Sequence, residues 1–262
     1  MVLDWAKVKF FYDTMLGTPS STLQATSTES GDYDVKYLHN WLETNKWQAA
    51  DSSTPQYITY DAGSGNSNEA DYLIVYGHNL AEAGASITLQ YSDDGFISDV
   101  NDVFTTEAIS SDAVYLKEFV GPGAYRFWRL KIEGPLSEVP CMTLCLWGEA
   151  TELDYCTSSF DPNEEDIKAN VGISYGGYLT GSHIKHVERR MLLNFSDSDS
   201  LLYQKIKLWR ETHGLNNLFV AWELANNPAD VWLMRPSPRF RNPLNETGLY
   251  RDISIELNGR KE

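Results

Sequence analysis

Tyr125-Arg-Phe-Trp-Arg-Leu-Lys-Ile132 decides the fold class. Arg126, Trp128, Leu130 and Ile132 alternate with Tyr125, Phe127, Arg129 and Lys131, so one face is mostly apolar and the other amphipathic. A period of two is the signature of a half-buried β-strand. Moving outward, Ile87, Leu89 and Tyr91 alternate with Ser86, Thr88 and Gln90, and Met142, Leu144 and Leu146 form another alternating set. Residues 72–76, Tyr-Leu-Ile-Val-Tyr, form a short apolar run suited to a buried strand. Turn residues separate these runs at Gly63-Ser-Gly65-Asn66, Gly77-His-Asn79, Asp93-Asp-Gly95, Gly121-Pro-Gly123 and Gly134-Pro135. Short strands with turns between them predict a β-sandwich.

The second half keeps the β pattern and adds one helix. In residues 200–213, Leu202, Ile206 and Trp209 lie at i, i+4 and i+7, a single helical face. Asp199 or Ser200 can cap its start and Gly214 can end it. A short helical turn is expected in residues 35–44. Strands are expected at 186–195, 218–224, 231–234 and 253–257. Gly148 is expected to close the last strand of the first domain, and residues 157–163 read as a connector. The expected domains are therefore 1–150 and 151–262.

Charge separates the two halves. The net charge is -16. Residues 1–150 hold 21 acids and 8 bases, giving -13, while 151–262 hold 16 acids and 13 bases, giving -3. Such an acidic surface repels phosphate backbones, which argues against nucleic acid as a partner. No run approaches the ~20 apolar residues of a membrane span. Asp4, Lys7 and Lys9 interrupt the apolar residues at the start, so a signal peptide is not expected and synthesis is placed in a cytoplasm.

The order of these segments resembles a discoidin-like, galactose-binding-like jelly roll. The resemblance rests on Ser20-Ser-Thr-Leu-Gln-Ala-Thr-Ser27, Trp47, Gln56-Tyr-Ile-Thr-Tyr-Asp61, Tyr72-Leu-Ile-Val-Tyr-Gly-His-Asn-Leu80, Ser92-Asp-Asp-Gly95 and Tyr125 to Ile132. It covers nearly all of residues 15–150 and implies that Trp47 is buried. The wording Ala70-Asp-Tyr-Leu-Ile-Val-Tyr-Gly-His-Asn-Leu80 is similar to such domains in structural proteins of tailed bacteriophages. Phe160-Asp-Pro-Asn163, Ser174-Tyr-Gly-Gly177, Phe219-Val-Ala-Trp-Glu223 and residues 235–243 resemble the C-terminal part of phage tail-associated proteins. The resemblance implies a mostly β protein of two β-sandwich domains, an N-terminal galactose-binding-like jelly roll and a C-terminal sandwich with one packed helix. It implies a structural component of a phage tail or tail tip, made in the host cytoplasm and located in the virion, with other copies, tail proteins and a host surface glycan as partners. The alternative is a carbohydrate-binding module recognising cell-surface glycans.

Each candidate site is weighed against its plainer reading. Discoidin-like domains usually bind ligands with loops at one end of the sandwich, which places Tyr33, Tyr37, His39 and Trp41 as glycan-binding candidates; the plainer reading packs Leu38, Trp41 and Leu42 under the sandwich. Arg235, Arg239 and Arg241, among prolines 236, 238 and 243, form a local positive cluster suited to docking on an acidic surface. Asp93, Asp94, Asp99 and Asp102 are hard oxygen ligands but lack the EF-hand order, and read as exposed turn carboxylates. His183 and His186 point to opposite faces if they lie on a regular strand. Cys141, Cys145 and Cys156 read as buried thiols, with Cys141 and Cys145 on the same face of one strand. Glu164, Glu165 and Asp166 read as a solvated loop. The G-x-S-x-G, H-E-x-x-H and P-loop patterns are all missing, so no catalytic residue, metal or cofactor is expected.

Overall fold

The computed structural model describes residues 6–157 and 161–260. Met1 and Asp4 of the N-terminal stretch and Ser158, Ser159 and Phe160 of the expected connector lie outside them. The chain is mostly β with one α-helix. It divides into two compact units, Asp13–Ala150 and residues 6–12 with 151–260. The first residues, expected in the N-terminal domain, belong with the second unit. The reason is a ladder: Lys9, Phe10 and Phe11 pair with Ala221, Val220 and Phe219.

In Asp13–Ala150 the strands Thr22–Ala25, Gln56–Asp61, Phe127–Glu133, Ser86–Ser92 and Asn101–Asp102 lie side by side in that order, all antiparallel. The register brings Leu130 between Ile58 and Leu89, and Ile132 between Gln56 and Ile87. These side chains and Trp128 are buried, so the expected apolar face of Phe127–Glu133 is the core face. On the amphipathic face Arg129 lies 4.2 Å from the Tyr57 ring and 3.9 Å from the Phe96 ring, and its Nε donates to Gln90 Oε1. Stacking of the planar guanidinium keeps that face covered. A second layer has Tyr72–Tyr76 between Leu144–Glu152 and Tyr115–Glu118. Every residue of Tyr72–Tyr76 is buried. Trp47–Gln48 pairs with Cys141–Met142 as a small third element, and Trp47 is fully buried.

Two expectations change here. Met142 and Leu144 do not share a strand, because Thr143 breaks the run: its N–H donates to both Tyr76 O and Gly77 O at 3.1 Å. Cys141 therefore pairs beside Gln48 and Cys145 beside Val75, in different sheets. The last strand also continues past Gly148 to Glu152. Gly148 is needed within it, since a β-carbon there would lie 2.1 Å from Asp13 O.

In the second unit the antiparallel strands run Glu165–Ile173, Leu179–Ser198, Arg251–Arg260, Val231–Pro236, Leu218–Ala221 and Lys9–Thr14. The helix is Ser200–Thr212, with Asp199 Oδ1 accepting from the Leu202 N–H at 2.8 Å. Gly214, at φ 67°, ends it in the left-handed region. The helix buries Leu202, Ile206 and Trp209 in a core with Phe10, Met191, Leu193, Phe195 and Leu257. Phe10 meets Trp209 edge to face at 5.0 Å. Each such side chain contributes about 1.5–3 kcal/mol by leaving water.

The acidic run is not a loop. Glu165 and Asp166 open the strand Glu165–Ile173, and Glu164 pairs with Arg190 at 3.1 Å. The strand expected from 186 to 195 is longer, Leu179–Ser198, because it returns through residues 174–178 as a hairpin. Its register skips Lys185, pairing Lys168 with His186 and Ala169 with Ile184. His183 pairs with Asn170. This bulge puts His183 and His186 on one face, where a regular strand would have separated them.

Candidate functional site

A cleft of about 300 Å³ in the Asp13–Ala150 unit is lined by Asp32, Tyr33, Glu43, Thr44, Asn45, Lys46 and Thr143. Local structure explains how a loop holds this set. The 3-10 turn Val35–His39 starts at Asp34, whose carboxylate accepts from the Lys36 N–H at 3.0 Å, and it is anchored by buried Leu38. At the other end Trp47 is fully buried, with its Nε1–H donating to Ser27 O at 3.3 Å. Residues 42–46 are strung between these two anchors.

The lining groups have defined partners. Tyr76, from the buried strand, donates its hydroxyl to Glu43 Oε1 at 2.8 Å. Lys46 Nζ lies 5.8 Å from the centre of the Tyr33 ring and 3.7 Å from Cys141 Sγ. Thr44 donates to Asn45 Oδ1 at 2.8 Å. Thr143 donates to Gly77 O at 3.1 Å. Gly77 has φ 59°, and a β-carbon on it would stand 2.5 Å from Thr143 Oγ1, so glycine is what seats Thr143 here. The cleft thus combines one aromatic ring with acceptors on Asp32 and Glu43, a donor on Lys46, and groups of both kinds on Thr44, Asn45 and Thr143.

The four glycan candidates take different positions. Tyr33 lines the cleft. Tyr37 donates its hydroxyl to Asp32, a lining residue, and that bond raises the phenol pKa. His39 and Trp41 do not line the cleft. A β-carbon on Gly17 would lie 2.7 Å from His39 Cδ2, and burial lowers the imidazole pKa. Trp41 is buried at φ 62°, a left-handed conformation unusual for a bulky side chain. Of the interface candidates, all three are exposed. Arg239 and Arg241 line a cavity of about 190 Å³ with Leu192, Ser254 and Glu256, and Arg235 stands on the strand Val231–Pro236.

The carboxylates of the 93–102 loop face protein donors. Asp94 accepts from the N–H groups of Ile97, Ser98 and Asp99 and from the hydroxyls of Ser92 and Ser98. The Ser98 hydroxyl is the main cause that holds its pKa far below the usual range. Asp99 accepts from the Asp93 N–H, and Asp102 from Gln90 Nε2. Among the described residues no three His, Cys, Asp or Glu side chains group as metal ligands. Cys145 is buried and Cys156 half-buried, and burial pushes the Cys156 thiol up to about 12. No helix among the described residues is long and apolar enough to cross a membrane.

Tyr33 and Tyr37 were named through the resemblance to discoidin-like domains, as end-loop residues; Tyr33 lines the cleft and Tyr37 bonds to a lining residue. The run Glu43-Thr-Asn-Lys46 was missed. Its signal is a polar stretch placed directly before a tryptophan that packs inside. Thr143 carries no sequence signal, because its place depends on the strand break and on Gly77.

No family model matches the sequence. No curated protein matches it either. Among solved structures, the chain is similar to a GH29 fucosidase of Ruminococcus gnavus solved with fucose, at 13% identity and a TM-score of 0.46, over 55% of this chain and 28% of that one. It is similar to chitosan-binding module 2 of a Paenibacillus sp. IK-5 chitosanase/glucanase, solved with chitotriose, at 14% identity and 0.42, over 49% and 96%. A Clostridium perfringens CBM32 module, solved with GalNAc-β-1,3-galactose, is similar at 15% identity and 0.40, over 49% and 95%. The chain spans 28% of the length of the fucosidase.

Proposed function

We propose that the Asp13–Ala150 unit is a non-catalytic glycan-binding module that takes a neutral sugar in the cleft beside Tyr33. One observation carries this reading: an open cleft of about 300 Å³ holds an aromatic ring among hydrogen-bonding groups of both kinds. A sugar offers apolar C–H patches to a ring and hydroxyls that both donate and accept. Asp32, Glu43 and Lys46 offer acceptors and a donor for hydroxyls, and their one net negative charge disfavours anionic sugars. The net charge of -13 over residues 1–150 disfavours phosphate polymers. The test is thermal unfolding with a broad oligosaccharide panel. A bound sugar at 100 times Kd stabilises the fold by about 2.7 kcal/mol. A raised Tm with at least one sugar, lost in Tyr33→Ala, supports the module; no shift across the panel overturns it.

A second reading is a structural subunit of a bacteriophage tail, carried in the virion with other copies and tail proteins as partners. The observation in its favour is the exposure of Arg235, Arg239 and Arg241, flanked by proline. Arginine forks suit carboxylate-bearing interfaces, and the first half of the chain supplies an acidic surface. Mass spectrometry of purified particles tests it. Stoichiometric presence at a tail supports the reading, and absence from every particle overturns it.

A further inference from the structure

The strand Leu179–Ser198 outruns the core it serves. In its C-terminal half, Met191, Leu193 and Phe195 are buried against the helix. Arg189, also buried, closes this stretch: its guanidinium lies 3.9 Å from the Trp232 ring and donates to Pro162 O at 3.0 Å. Beyond Arg189 the same face continues to Val187, which pairs with Ile167. The bulge at Lys185 keeps the face in phase, so Ile184 with Ala169, Ser182 with Val171, and Leu179 with Ile173 follow on it. Ile167, Val171, Ile173, Leu179 and Ile184 are each more than half exposed. The opposite face carries Asp166, Lys168, His186 and Glu188, joined by ion pairs. The hairpin is thus an amphipathic ribbon with a core-like face in solvent.

We propose that this apolar face is the contact through which two copies of the chain associate, ribbon face on ribbon face. The charge pattern selects that occupant. From Ala169 to Ile184 the sequence has no Asp, Glu, Lys or Arg, although the chain's net charge is -16. Residues 1–150 carry -13 of that charge and residues 151–262 only -3, so two copies repel each other least through the second unit, and its neutral ribbon is where they can meet without opposing like charges. A basic partner would be drawn instead to the carboxylates elsewhere. A lipid surface would need a cluster of free cations beside the apolar face, whereas the neutral stretch is flanked by Lys185 and by Lys168, which is paired with Asp166 and Glu188. A two-stranded ribbon is also marginal in water until its apolar face is covered. The self-contact is isologous, because the same face serves both copies.

Sedimentation velocity of the full chain across a wide concentration range tests the contact. The wild-type chain should form a concentration-dependent dimer. Val171→Lys with Ile184→Lys should weaken it by about 100-fold or more, because each copy loses two buried aliphatic side chains. Asn170→Lys, on the opposite face, should leave the dimer intact. All these positions are exposed, so each variant should melt near the wild type, which separates lost association from lost folding. A monomeric wild type, a dimer that survives the paired lysines, or equal disruption by Asn170→Lys would each overturn the proposal. So would a monomer that instead uses this face to bind vesicles or another protein. The ribbon lies outside the Asp13–Ala150 cleft, so neither outcome decides sugar binding.

Discussion

The strands Tyr72–Tyr76 and Glu165–Ile173 are opposites within one chain. The first is buried at every residue, and the second is exposed at all but one. The first has a neighbour on each side and lies within layered sheets. The second is the last strand of its sheet, paired only with Leu179–Ser198. Both contain aliphatic residues, so composition alone does not separate them. What separates them is company: a strand is buried when its sheet has further strands and its faces have cover. The same contrast divides the proposed roles. A rigid, buried strand supplies Tyr76 to support the cleft, whereas the ribbon offers its face outward.

Substitutions at the two ends of this contrast should differ most. Trp128→Ala empties a fully buried site and should cost about 3–5 kcal/mol, read by denaturant unfolding. A cost under ~1 kcal/mol would mean that the sheet core is less closed than its burial implies. Gly77→Ala should come next, at about 1–3 kcal/mol, because the new methyl meets Thr143 in a left-handed turn. It should also weaken sugar binding, since Thr143 lines the cleft; unchanged binding would remove Thr143 from the site.

A smaller effect depends on pH. The hydrogen bond from Arg126 holds the Asp61 carboxyl below its ordinary value, helped by the Gly63 N–H and opposed by burial. Its contribution is therefore present above the unfolded carboxylate value of about 3.9 and lost as pH falls through the lower folded value. Tm of the wild type should drop more steeply below about pH 4 than that of Asp61→Asn. Parallel curves would remove this pair from the acid response. The smallest effect belongs to the ribbon: Val171→Ala should change monomer stability by less than about 0.5 kcal/mol.

The sequence exposed the elements whose cause is local. Trp128, Leu130 and Ile132 fixed the central strand by alternation, and Asp199, Ile206, Trp209 and Gly214 marked the helix with its caps. Tyr33 was named through the family resemblance, by its place in an end loop, and not by a local pattern. Features set by distant partners were not legible. The break at Thr143 depends on the Tyr76 and Gly77 carbonyls, and it separates Cys141 from Cys145. The bulge at Lys185 depends on how Leu179–Ser198 meets Glu165–Ile173, and it reversed the reading of His183 and His186. Lys9 to Phe11 gave no sign of pairing with Phe219 to Ala221, more than two hundred residues away.

Amide hydrogen exchange on the full chain, with and without a saturating oligosaccharide panel, tests the central claim most directly. Sugar should protect amides in residues 32–46 and around Thr143, and leave residues 165–186 unchanged at fixed chain concentration. Protection confined to another surface, or none with any sugar, would contradict the assignment of the cleft.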